Sequence, residues 1–99
     1  MTENQIARLG DDAAIVLDNE AFKQAMDGLK SQVNAQLLDC PIRDREGMVL
    51  LLQLSKLTAK FEGILTGMVA NGRFTQVKID MDKERNETRA QKWLRKVNG

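Results

Sequence analysis

The stretch from Asp44 to Gly72 constrains this chain more than any other. Leu50, Leu54, Leu57, Phe61, Ile64 and Met68 recur at alternating steps of four and three, the spacing that gathers side chains on one face of a 3.6-residue helix. Leu51, Leu65 and Val69 widen that face. Asp44 suits the amino-terminal cap, because its carboxylate accepts from backbone N–H groups two or three residues on, and Asn71-Gly72 predicts the stop, with glycine cheap in the left-handed position. Such a helix spans roughly 40 Å at 1.5 Å per residue.

A second row on the same helix has almost no side chain. Ser55, Ala59, Gly63 and Gly67 fall four apart, although each interior glycine costs about 1 kcal/mol relative to alanine. Close approach of another helix backbone would offset that cost. The alternative is a groove in which a ligand lies against bare backbone. The packing reading makes Leu50, Leu54, Leu57, Ala59, Phe61, Gly63, Ile64 and Gly67 the core or the oligomer seam.

Upstream, Asp18-Asn19 before Glu20, Ala21 and Phe22 signals the start of a helix running to about Asp39, with Phe22, Met26, Leu29, Val33 and Leu37 as its apolar set. Cys40-Pro41 ends it, since proline lacks an N–H and disfavours helical geometry in the residue before it. The short connection to Asp44 predicts an antiparallel αα-hairpin. Before it, Met1 to Gly10 reads as a short helix ended by Gly10, and Asp11 or Asp12 opens a further turn through Leu17, with an extended Ala14–Leu17 as the alternative. After Gly72, the alternation of Val77, Ile79 and Met81 with polar residues is strand-like over Thr75–Asp82, and Gly72–Thr75 is the candidate hinge. From Asp82 the pattern is helical again, with Trp93 and Leu94 as the anchor of a face too small to hold a helix by itself.

The chain's 99 residues suit one modest core. Aromatic content is 4% with no tyrosine or histidine, so Leu, Ile, Val, Met and Ala must build the interior. Net charge is +1, but it is unevenly spread. Residues 1–46 hold five Lys/Arg against nine Asp/Glu, a net of −4, and residues 73–99 hold eight against four, a net of +4. The two ends are complementary, which permits docking within one chain or head-to-tail association between copies. Cys40, the single cysteine, reads as a small apolar side chain, and nothing recommends an oxidising compartment. No run is long and apolar enough for a signal peptide or a membrane span, so the expected location is the cytoplasm, with no membrane partner.

The composition leaves little for catalysis. Without histidine the Ser-His-Asp and Cys-His arrangements fall away, as do most zinc sites, and phosphate-loop and dinucleotide fingerprints are absent. No enzymatic activity, metal or cofactor is expected. A basic helix with one aromatic can grip phosphates, which makes Arg85, Arg89, Lys92, Arg95 and Lys96 around Trp93 the candidate nucleic-acid contacts. Asp80, Asp82, Glu84 and Glu87 interleave with them, and the bland alternative is a solvated, salt-bridge-laced helix. A third option is a small anionic ligand, such as a nucleotide, held by Arg43, Arg45 and Lys56 or Lys60.

The order Leu17-Asp18-Asn19-Glu20-Ala21-Phe22, then Arg43-Asp44-Arg45-Glu46-Gly47 opening a leucine-rich helix, then Asn71-Gly72-Arg73, resembles small, mostly uncharacterised helical-hairpin proteins of tailed bacteriophages over residues 17–74. The resemblance implies a role in virion assembly, DNA handling or host takeover, in the host cytoplasm or on the virion, with a phage or host protein as partner. It carries no functional residue over. The reading is thus an all-α chain: a helical-hairpin domain over 1–74 with a short amino-terminal helix, a charged helical tail over 75–99, and self-association. Its expected function is non-enzymatic assembly or adaptor work through helix packing. A nucleic-acid-binding accessory role in DNA packaging or transcription is the alternative, and ligand sequestration a further one.

Overall fold

Local capping chemistry sets where each helix begins. In the computed structural model, which describes residues 1–98 and, from residue 88 on, only the side chains of 91, 93 and 94, α1 spans Glu3–Asp18, α2 Glu20–Asp39 and α3 Arg45–Asn98. Thr2 caps α1 in a reciprocal box: its hydroxyl accepts from the Gln5 N–H, and the Gln5 side chain accepts from the Thr2 N–H at 2.9 Å. Asn19 serves two helices. Its N–H closes α1 on the Val16 carbonyl, while its Oδ1 accepts from the Phe22 N–H at 2.9 Å and opens α2. Asp44 caps α3 as its sequence position predicts, accepting from the Gly47 N–H at 3.0 Å. The chain is all-helical, with no strand among the described residues.

Two expected breaks are not there. Helix α1 runs straight through Gly10, and α3 runs straight through Asn71-Gly72 and the strand-like Thr75–Asp82 to Asn98, so the stop at Gly72, the hinge at Gly72–Thr75 and the strand are all corrected. The physical reason is that these two glycines meet. A Cβ built on Gly10 would lie 2.7 Å from the Gly72 Cα, and one built on Gly72 would lie 2.7 Å from the Gly10 Cα and 3.3 Å from the Ile6 carbonyl oxygen. Both are buried. The cost of an interior glycine, about 1 kcal/mol, is offset here by two backbones packing where no side chain fits. The period-2 pattern also has a helical reading: Val77 and Met81 are four apart and exposed, while Ile79 is half-buried.

The tight helix contact expected at Gly63 and Gly67 is therefore made elsewhere within the chain, since a Cβ on either would meet nothing within 4 Å. Helix α1 presents Ala7, Gly10 and Ala13 as its buried row and lies antiparallel to α3, with Glu3 reaching Lys78 and Gly10 reaching Met68 and Gly72. Helix α2 meets the amino-terminal part of α3, where Lys30 pairs with Glu62. The whole is a rod of 84 × 25 × 17 Å, its length set by the 54 residues of α3, about 81 Å of helix. Its Cα radius of gyration is 23.1 Å, where a compact chain of this length would have about 13 Å.

So elongated a chain buries little. Among the described residues, Ala7, Ala13, Val33 and Val69 are the buried apolar ones and no large side chain is fully buried.

Candidate interaction surface

Two apolar rows run side by side along α3, and only one is covered. Leu51, Thr58, Glu62, Leu65, Val69 and Gly72 turn toward α2 and α1 and are buried or half-buried. The row one residue earlier is turned about 100° away at 3.6 residues per turn. This is the stripe of Leu50, Leu54, Leu57, Phe61, Ile64 and Met68, and all six are exposed, from 36% at Met68 to 65% at Leu50. The residues read from the sequence as core or seam are thus outside the core of the single chain. Their steps of four and three persist over more than two heptads, the repeat by which one helix seats its side chains between those of a neighbour.

Helix α2 borders this stripe at Phe61, whose ring lies 6.4 Å from that of Phe22 at a tilt of 47°. In the covered row, Lys30 Nζ sits 2.7 Å from Glu62 Oε1, and this bond holds the Lys30 ammonium above the ordinary lysine value. A cleft of about 150 Å³ lies between Val33, Asn34 and Leu37 of α2 and Ser55, Thr58 and Ala59 of α3. The small row therefore splits: Ser55 and Ala59 border α2, and Gly63 and Gly67 face open space.

At the far end of α1, Lys78 Nζ lies 3.0 Å from Glu3 Oε1, which raises the Lys78 ammonium as well. Beside it Ile6, Leu9, Met68 and Phe74 border an apolar notch of about 320 Å³. The seam of α1 was missed by sequence reading because Gly10 looked like a stop. Ala7, Gly10, Ala13 and Leu17 at steps of three and four carry the signal that would have found it.

Trp93 is 63% exposed and Leu94 50% exposed. Arg85 is exposed too, whereas the side chains of Arg89, Lys92, Arg95 and Lys96 lie outside the described residues. The cations considered for a small anion do not converge, because Arg45 and Lys56 are eleven positions apart on one straight helix, about 16 Å along its axis. Cys40 is half-buried in the α2–α3 turn, with its Sγ 3.8 Å from the Pro41 and Asp44 carbonyl oxygens.

Among the described residues no group of three or more His, Cys, Asp or Glu is placed to hold a metal, and no helix is long and apolar enough to cross a membrane. No family model matches the chain, and neither a curated protein nor a solved structure matches it significantly.

Proposed function

We propose that this chain is a helical assembly protein whose α2–α3 hairpin packs against further copies through the exposed stripe on α3. The observation that carries this reading is the unbroken row Leu50, Leu54, Leu57, Phe61, Ile64 and Met68, regular enough for helix-helix packing and uncovered in the single chain. Surface area supports it. The chain exposes 8350 Å² for a mass of 11.1 kDa, where a compact protein of that mass exposes about 5,700 Å². The excess, about 2,700 Å², is several times the roughly 800 Å² per partner of a standard interface. With so few buried side chains, association contributes stability by mass action. Gly63 and Gly67, open on another side of the same helix, offer a second line of close approach. A virion-assembly role, which the resemblance to phage proteins implies, would use this packing of copies.

The test is mass by light scattering across a concentration series. The native chain should associate, and Leu57→Lys with Ile64→Lys should lower both the mass it reaches and its melting temperature. A native chain that stays single at the highest concentration reached refutes the reading.

A further inference from the structure

The sequence leaves two uses for its opposite charges, docking within one chain or between chains, and the structure makes the first through Glu3 and Lys78 while leaving the acidic end of α1 and the basic tail apart. Residues 11–20 hold Asp11, Asp12, Asp18 and Glu20 with no Lys or Arg, a net of −4. Residues 83–99 hold six Lys/Arg against Glu84 and Glu87, a net of +4. Each segment also exposes apolar side chains. On α1, Ile15 is 68% exposed beside Val16, and Asp11, Asp12 and Asp18 stand four, three and three positions from it, on its face of the helix. None of those three carboxylates has a hydrogen bond or ion pair among the described residues. On the tail, Trp93 and Leu94 stand exposed. An apolar anchor within a ring of opposite charge recurs in protein interfaces: the anchor supplies affinity and the charges set orientation.

These two surfaces cannot meet in one molecule. Gly10 crosses α3 at Gly72 with the helices antiparallel, so Ile15 lies about 8 Å to one side of the crossing and Trp93 about 32 Å to the other, at 1.5 Å per residue. Helix α3 is continuous between them. We infer that the tail of one copy docks through Trp93 and Leu94 on the acidic Ile15 face of α1 in the next copy, a head-to-tail contact. Such a contact uses different surfaces on the two partners, so it closes into a ring or continues as a filament. It uses neither the leucine stripe nor the small row, and so deepens the assembly reading without depending on which helix face the stripe covers.

Trp93, the single tryptophan, reports the contact directly. Three full-length chains are compared by light scattering and tryptophan emission over a concentration series at low and high salt: the native chain, a head reversal (Asp11→Lys, Asp12→Lys, Asp18→Lys) and a tail reversal (Arg89→Glu, Lys92→Glu, Arg95→Glu). Circular dichroism checks that each remains helical, and Ile15→Gln tests the anchor if a reversal unfolds. The native chain should grow in mass as Trp93 emission moves to the blue, and high salt should abolish the shift and lower the mass reached. Each reversal alone should lose the blue shift and the salt-sensitive part of the mass, and an equimolar mixture of the two reversals should regain both, because each head then faces a tail of opposite sign. Emission and mass that ignore concentration, or reversals that change neither, overturn the inference, as does a blue shift seen only when duplex DNA is added. With Leu57→Lys and Ile64→Lys in place the blue shift should persist, so loss of the stripe contact and loss of the tail contact are told apart.

Discussion

Four glycines on or against α3 behave in two ways. Gly10 and Gly72 press backbone on backbone at the crossing of α1 and α3, with no room for a Cβ, while Gly63 and Gly67, less than three turns away, face nothing within 4 Å. In sequence the second pair looked like the contact and the first pair like helix ends. The difference shows that spacing identifies a row of small residues but cannot say whether its partner lies in the same chain, in another copy or nowhere. A buried glycine inside a helix is explained by what sits on it, and only the first pair has that explanation within this molecule.

The largest effect should come from filling the crossing. Gly72→Leu forces a side chain into a space where even a Cβ would sit 2.7 Å from backbone, so a loss at or beyond the overpacking range of about 1–3 kcal/mol is expected, read as a drop in the thermal midpoint of roughly 4–8 °C per kcal/mol. An unchanged midpoint would mean α1 does not lie on α3 as described.

The open pair should respond in the opposite sense. Gly63→Ala with Gly67→Ala adds helix propensity at sites with space, a gain of up to about 1 kcal/mol each. Leucine at both positions should leave the single chain folded yet change the mass of its assembly if another copy lies on that row. Leucines that alter neither mass nor midpoint would assign the row no partner.

The shared cap comes next. Asn19→Ala removes the acceptor for the Phe22 N–H at the one residue joining α1 to α2, and should cost about 1 kcal/mol, measurable as a shift in the denaturation midpoint. Smallest is the effect of alkali. Lys30 and Lys78 are held above the ordinary lysine value of 10.5 by bonds to Glu62 and Glu3. A group raised in the folded state stabilises it fully below its unfolded value, and that contribution fades as pH climbs through the raised one. Stability should thus be flat through neutral pH on this account and decline only above 10.5. Lys30→Met and Lys78→Met should flatten that decline, and a decline already present near pH 8 would assign it to other groups.

What could be read from residues alone was local. The boundaries of α2, its Asn19 cap and the Asp44 cap of α3 follow from side chains bonding backbone three residues away, and the six-residue stripe follows from helical period. Where Gly10 and Gly72 fall in the fold was not legible, since a glycine favours a stop only if nothing holds the helix together. The fate of the stripe was equally hidden. Leu50 and Leu57 satisfy the pattern of a core, but the covered row is the one beginning at Leu51, because α1 and α2 settle on that side.

The sequence by itself determined that this chain is predominantly helical, that Asn19 and Asp44 open helices, and that its two ends carry opposite charge, all readable without knowing which helices meet. Tertiary structure decided which apolar row is covered and that α3 continues past Gly72. It thereby set the acidic face and the tail too far apart to meet, because a helix packed on its neighbour stays straight where the isolated segment would have been free to turn.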